Sequence, residues 1–417
     1  MDFDHVLRLM FLFAGKRQKR RSSVAAMTRA LQLLGNPHSN LRTIHVTGTS
    51  GKTSTCYYLR ALLEASGRRT GLTISPHIHT LSERVQIGGA PLDQERFCNY
   101  ANQMLDLLEP MRGELTYFEL MICLALWAFH KEKVDYAIVE VGIGGTRDAT
   151  NVLSHDQKVA VIGPIGLDHT EKLGSTLEEI AAQKAGIIPK DGTVFVADQS
   201  PEVLEVIRDR ARVFGALVGV VPQPTSPDNQ LPKFQQHNWA MARTVAAYLA
   251  KRDGFDLPKA SQVEALKNNT PPARFEWLEC HNHRILLDGA HSPPKMASLV
   301  ETLRTQGEGP FPTLATLSRA PDEKIVETLA TLKPVVSHLI ICDFVLGQDN
   351  KVKTSVPCHQ IARVARSLAI ECTVIPNLEN AVDTLLSYPD HKLLVTGSLY
   401  LAALVRPLLC SAPGTTI

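Results

Sequence analysis

The sequence predicts an α/β protein of two domains, and three observations predict it. Apolar, β-branched runs alternate with helical patterns along nearly the whole chain, as they do in parallel sheets flanked by helices. A strand, a glycine turn and a helix start follow directly on one another at residues 42–55, RTIHVTGTSGKTST. At 417 residues the chain is also too long for one typical hydrophobic core.

In the first half, β-rich runs predict strands over 43–46, 70–73, 136–141, 159–162 and 193–196. Helical patterns predict helices over 54–65, 118–130, 177–182 and near 238–251. A second series begins after Glu276, with strands at 284–287, 312–316, 338–342, 372–375 and 392–395. Its helices fall at 294–303, 323–332, 378–387 and 398–408. The stretch 222–232, with four prolines, reads as an excursion inside the first domain. The boundary is expected near 277–283, giving a first domain 1–280 and a second domain 281–417.

Hydrophobic residues at 44% and charged residues at 21% match a soluble globular protein. A net charge of +2 gives no reason to expect a nucleic-acid or membrane partner. The basic cluster KRQKRR at 16–21 reads as a solvated helix end or exposed loop, with an acidic ligand as the other reading. The apolar stretch 6–13 is interrupted by Arg8, is too short to span a bilayer, and lacks the flanks of a signal peptide. Eight dispersed cysteines form no C-x-x-C pair and no zinc-spaced His/Cys cluster, as expected of reduced, mostly buried residues in the cytoplasm.

The turn at 48–51 carries the first chemistry. A strand, a tight turn and a helix N-terminus aim backbone N–H groups and a positive dipole end at one point, which suits a polyphosphate. Gly48, Thr49, Ser50 and Gly51 supply the cradle, Lys52 a point charge, and Thr53 or Ser54 a hydroxyl for Mg²⁺. The loop is shorter than the common G-x-x-x-x-G-K-[ST] form, since Thr47 precedes the first glycine. The alternative is a glycine turn that only joins strand to helix.

Four more segments place polar residues at predicted strand ends, where α/β sheets bind ligands. Ser75-Pro76-His77 follows the strand at 70–73, with SERVQI at 82–87 beyond it. Glu140 ends an apolar strand before a glycine-rich run. A carboxylate there is costly to bury without a cation, which Mg²⁺ or a salt-bridge partner would supply. His169, between Asp168 and Thr170, is as readily structural as functional. Asp288-Gly289-Ala290-His291 could offer a carboxylate and an imidazole if the two domains close over one cleft. Lys184 reads by itself as an ordinary surface lysine on a helix.

Taken in order, these segments resemble the folylpolyglutamate synthase/dihydrofolate synthase family of the Mur ligase superfamily over nearly the whole chain. The resemblance rests on the cradle, ISPHIHTLSERVQIGG, TYFELMICLALWAF, EVGIGGTRDATNV, LDHTEKLGSTLEEIAAQKAGI, ARFEWL and LLDGAHSPP. It implies a P-loop-containing N-terminal domain like the Mur ligase central domain and a smaller Rossmann-like α/β C-terminal domain. The ATP site would then lie in the cleft between them. Lys52 would bind the β- and γ-phosphates. Ser75, Glu140 and His169 would coordinate Mg²⁺, and Lys184 would be carbamylated to help hold a metal. Gln235 and Asn238 fit a Gln-x-x-Asn signature facing adenine, and Arg274, Asp288 and His291 would contact ATP from the linker and second domain. Departures from the family pattern include Ser50, Thr53, Thr146, Gln183, Phe234 and Ser292.

The chemistry implied is ATP-dependent joining of L-glutamate to a pteroate or folate carboxylate through an acyl phosphate, with Mg²⁺ at two sites. Such a site needs positioning and charge neutralisation rather than a nucleophilic side chain. Small-molecule substrates, a cytoplasmic location and a monomer are expected. The competing readings are a Mur-type amide ligase with another acceptor carboxylate and an ATP-binding homologue without catalysis. A dinucleotide dehydrogenase is excluded because no G-x-G-x-x-G follows the first strand.

Overall fold

The computed structural model describes residues 3–15, 23–153, 157–224, 231–280, 282–348 and 351–410. The basic cluster at 16–21 lies outside them. The chain forms two compact units.

The first unit is built on an eight-stranded sheet. Its strands are β1 (Thr43–Thr47), β2 (Thr70–Thr73), β3 (Gln86–Ile87), β4 (Ala90–Pro91), β5 (Tyr136–Glu140), β6 (Val159–Ile162), β7 (Thr193–Ala197) and β8 (Leu217–Val221). Their order across the sheet is β4-β3-β2-β5-β1-β6-β7-β8. All neighbouring pairs from β2 to β8 are parallel, and β3 and β4 add an antiparallel edge. Every residue of β1, β2, β5, β6 and β7 is buried, which is why these strands read as unbroken apolar runs. β8 has only Val221 buried, so its alternation was too weak to be expected from the sequence.

Helices cover both faces. On one, Tyr117–Lys131 is almost wholly buried and joins the largest apolar cluster with Ala137 and Val139 of β5. Thr116 starts this helix by accepting from Glu119 N, while the Glu119 carboxylate accepts from Thr116 N. Farther along the same face, where His45 aligns with both Val139 and Ala160, Ile180, Ala181 and Ala185 pack with Val203, Leu204 and Ile207 against β6 and β7. On the opposite face the Phe195 ring meets Tyr248 of the helix Lys233–Asp253. The helix Leu177–Ala185 begins at a second reciprocal cap, Thr176 with Glu179. It runs past the expected end at 182 and so includes Lys184.

The second unit has a six-stranded sheet. Its strands are β9 (Glu276–Cys280), β10 (His283–Leu287), β11 (Phe311–Ala315), β12 (Val336–Ile341), β15 (Cys372–Val374) and β16 (Lys392–Thr396), with the separate hairpin β13 (Val345–Gln348) and β14 (Lys351–Thr354). The order is β15-β12-β11-β16-β10-β9, parallel except for the β9–β10 pair. The expected boundary at 280/281 is corrected here. It would cut between β9 and β10, which pair from His283↔Cys280 to Leu287↔Glu276. The second unit instead takes in the chain from Thr270, and residues 231–234 go with it rather than with the first.

Cys56, Cys98, Cys123, Cys280, Cys342 and Cys358 are buried and Cys372 is half-buried, and no disulfide joins these seven. Among the described residues no helix is long and apolar enough to cross a membrane.

Candidate active site

The sheet order places β2, β5, β1 and β6 side by side, and the loops leaving their C-terminal ends carry the predicted residues of the first unit. The loop after β1 turns through Gly48 and Gly51 into the helix Lys52–Ala65. Gly51 has φ +77°, and a Cβ there would lie 2.1 Å from Asn238 Oδ1, so only glycine fits both the turn and its neighbour. Thr49 stitches this loop to the one after β6: its N donates to Pro164 O at 2.8 Å, and its hydroxyl bonds Gly166 O and Gly166 N at 3.0 Å each.

Two amines converge on one carbonyl. Lys52 Nζ lies 3.1 Å and Lys184 Nζ 2.9 Å from Gly48 O. Lys184 is 3% exposed, so its reading as a surface lysine is wrong. It follows Ile180 by one helical turn and therefore shares its buried face. Burial, with the Lys52 charge second, lowers its ammonium from 10.5 to about 7.

Glu140 is 2% exposed at the end of β5. Its Oε1 accepts from Thr53 Oγ1 at 2.9 Å and its Oε2 from Ser75 N at 3.2 Å, which brings three predicted metal residues together. This donor set of carboxylate and hydroxyl oxygens fits a hard cation such as Mg²⁺ that completes its shell with phosphate oxygens and water. No group of three His, Cys, Asp or Glu able to cage a metal occurs among the described residues. His169 is placed differently. Its side chain is 45% exposed, its φ is +51°, and its ring stands 3.9 Å from Glu171.

Gln235 and Asn238 are buried and bonded to each other, Asn238 Nδ2 to Gln235 Oε1 at 3.1 Å. Through Asn238 the pair touches the cradle at Gly51. Ser54 is buried within the first helical turn.

Sequence reasoning missed the part played by Asp148. It is 8% exposed and accepts from Ile143 N at 3.1 Å, Thr150 N at 3.0 Å and the Thr150 hydroxyl at 2.5 Å. His45 Nε2 in β1 bonds the same hydroxyl at 2.8 Å. This buried chain fixes the glycine loop after Glu140, and burial raises the Asp148 carboxyl pKa. The spacing Asp148-Ala149-Thr150, an Asx-turn pattern, was the available signal.

The second unit gathers its own polar group. Asp288, just past β10, accepts from Phe275 N and Ala290 N at 2.8 Å each. Burial raises its carboxyl pKa, partly offset by the Arg274 charge. His291 Nδ1 bonds Gly289 O at 2.8 Å, and Lys295 Nζ lies 3.3 Å from Nε2. Burial, then Lys295, holds the His291 ring down at about 4, so it is neutral at pH 7. A Cβ on Gly289 would lie 3.3 Å from Arg274 Nη1, so Arg274, Asp288 and His291 do come together.

A P-loop at the centre of a parallel sheet, followed in the chain by a second α/β unit, corresponds domain for domain to the ATP-dependent ligases of the Mur type. The Mur ligase middle domain matches residues 46–216, and the Mur ligase, glutamate ligase domain matches residues 273–399. A dihydrofolate synthase/folylpolyglutamate synthase from Bacillus subtilis is 29% identical over 78% of this chain and 82% of its own. The apo form of L. casei folylpolyglutamate synthase is 26% identical and superposes with a TM-score of 0.82 over 99% of this chain and 100% of its own. A folylpolyglutamate synthase solved with AMPPCP and folate is 27% identical, with a TM-score of 0.78 over the same shares. The chain belongs to the folylpolyglutamate synthase/dihydrofolate synthase family of Mur ligases.

The Lys184 amine gives a pH prediction. Its folded value near 7 lies below its ordinary 10.5, so between these values the folded protein holds fewer protons than the unfolded chain. Stability is therefore expected to rise as pH increases from about 7 to 10.5, with the cost of the buried ammonium fully present below that window. Lys184→Met should remove up to about 5 kcal/mol of this dependence. Urea unfolding of both proteins from pH 6 to 10.5 in CO₂-depleted buffer checks it, and parallel curves would contradict the burial argument.

Proposed function

We infer that this protein joins L-glutamate to the carboxylate of dihydropteroate or of a tetrahydrofolate, converting ATP to ADP and phosphate. The observation that carries this reading is the convergence of Lys52, Lys184, Thr53 and Glu140 around one phosphate cradle. The names and ligands of the relatives support the choice of substrates.

In the first step a carboxylate oxygen of the acceptor forms a bond to the γ-phosphorus while the bond to the β,γ-bridging oxygen breaks, releasing ADP. The glutamate amine then attacks the acyl carbon, the C–O bond to phosphate breaks, and the amine loses its proton. Phosphoryl transfer of this kind asks a protein for position and charge neutralisation. The N–H groups of residues 48–52 orient the phosphates, and Lys52 places a cation beside them. Thr53, Glu140 and Ser75 would hold a magnesium ion, with His169 assigned to a further metal position; when bound, the ion neutralises charge on phosphate oxygens. Lys184 has the neutral amine needed for N–C bond formation with CO₂, with loss of a proton, which supports carbamylation there. Gln235, Asn238, Arg274, Asp288 and His291 are assigned to the nucleotide. Cysteines that are mostly buried and joined by no disulfide among the described residues support a cytoplasmic location.

The test is ADP release by purified protein with ATP, magnesium, glutamate and each pteroate acceptor in turn, with products identified by mass spectrometry. Glutamate-dependent turnover with at least one acceptor is expected. Absence of turnover with all of them would overturn the substrate assignment.

A further inference from the structure

The loop between β2 and β3 closes on a single carboxylate. Ile78 N donates to Glu83 Oε2 at 2.8 Å, and His79 N and Thr80 N donate to Oε1 at 2.8 and 2.9 Å. Glu83 is buried, as are Ser82, Arg84 and Gln86. Three N–H groups turned onto one buried carboxylate fix the backbone that carries them, since each would otherwise lose a strong partner. Inside the loop Arg84 Nε donates to His77 Nδ1 at 2.9 Å.

Gln86 ties this loop to the helix that starts at the phosphate cradle. Its Nε2 donates to Glu83 O at 2.8 Å and to Tyr57 Oη at 3.1 Å, and its Oε1 accepts from Arg60. Arg60 also lies over the Tyr57 ring, 4.4 Å from its centroid. Both donors and the acceptor of this carboxamide are therefore engaged at 1% exposure, the condition under which a buried polar network specifies one geometry.

Thr53, Tyr57 and Arg60 are four and three residues apart and so share one face of the helix Lys52–Ala65. Thr53 bonds Glu140, which in turn accepts from Ser75 N at the loop's first residue. Both ends of the loop are thus anchored to one helical stripe, and the first turn of that stripe belongs to the cradle.

We propose that Glu83 and Gln86 are positioning residues that hold the loop 75–84 in register with the phosphate site and so present the acceptor carboxylate to the γ-phosphoryl. This rests on the ligase reading above. Glu83 acts through the backbone of residues 78–80, and Gln86 acts through Tyr57 and Arg60. Because neither reaches the cradle itself, loosening them weakens acceptor binding and leaves nucleotide binding in place.

The test compares the parent with Glu83→Gln and Arg60→Met. Glu83→Gln keeps the shape but turns an amide NH₂ toward an N–H donor. Arg60→Met sits at a half-buried helix position, keeps much of the aliphatic stem, and releases Gln86 without opening the core. The acceptor KM is expected to rise about 10-fold or more in Glu83→Gln and about 3-fold in Arg60→Met, with kcat falling by a smaller factor. The Kd for Mg-ATP by calorimetry should stay within about 2-fold, and amide exchange at Ile78, His79 and Thr80 should accelerate by about 10-fold or more in Glu83→Gln. An acceptor KM within about 2-fold of the parent in both variants would overturn the proposal, as would a matching loss of ATP affinity. If the parent turns over no pteroate acceptor, the ligase reading fails by itself. The exchange measurement then decides the anchoring, and unchanged rates at the three amides would overturn it.

Discussion

Lys52→Met is expected to reduce ADP formation by about 10²–10³-fold while leaving the folded state as stable as the parent. The amine lies at Gly48 O, on a helix N-terminus that already concentrates N–H groups on the same point. It bonds a carbonyl rather than a carboxylate, so its removal leaves no buried anion behind. The aliphatic stem survives in methionine, which keeps the packing of a half-buried position. What is lost is a fixed cation beside oxygens that gain charge as the phosphoryl group leaves, and such preorganised charges act most strongly in the transition state. A secondary effect follows at Lys184, whose ammonium is held down in part by the Lys52 charge. In the variant it should titrate at higher pH. A coupled assay for ADP, calorimetry with Mg-ATP and a thermal melt together check this, and activity within about 10-fold of the parent would remove Lys52 from the transfer step.

Glu140→Gln is expected to cost a similar factor, about 10²–10³-fold, by a different route. Glutamine is nearly isosteric, and its oxygen can still accept from Thr53 Oγ1 or Ser75 N, so the loops need not move. The charge disappears from a site that is 2% exposed, and stability should hold or rise because an ion no longer has to be buried. The loss should therefore appear as a higher magnesium requirement and a lower maximal rate, not as unfolding. Rates measured across a magnesium titration would show this. A parental magnesium profile in the variant would mean that Glu140 only ties the loops together.

The parts of this site that were legible in the sequence are those in which chemistry and local backbone coincide. The cradle is a contiguous strand, turn and helix start, so residue types alone specify it. The strands flanking it are buried on both faces and show as unbroken apolar runs. Lys184 was misread because a lysine is ordinarily solvated, although its spacing from Ile180 placed it on the buried face. Asp148 and Glu83 were illegible for another reason. Each is a carboxylate turned inward onto N–H groups, and only the path of the folded loop shows which ones. The domain boundary was set one hairpin too late because β9 has only one buried residue and gave little apolar signal.

The succession β2-β5-β1-β6 has a consequence for how such a protein diversifies. At about 4.8 Å per strand, the four loop origins span roughly 14 Å, so the sheet works as a ruler with one chemical duty at each mark. The loop after β2 is the terminal mark and the one farthest from the β6 crossover. Beyond Ser75, which belongs to the magnesium set, its sequence can be rewritten to suit a new organic acid, on the substrate reading proposed above, while the graduations that handle the triphosphate stay where they are.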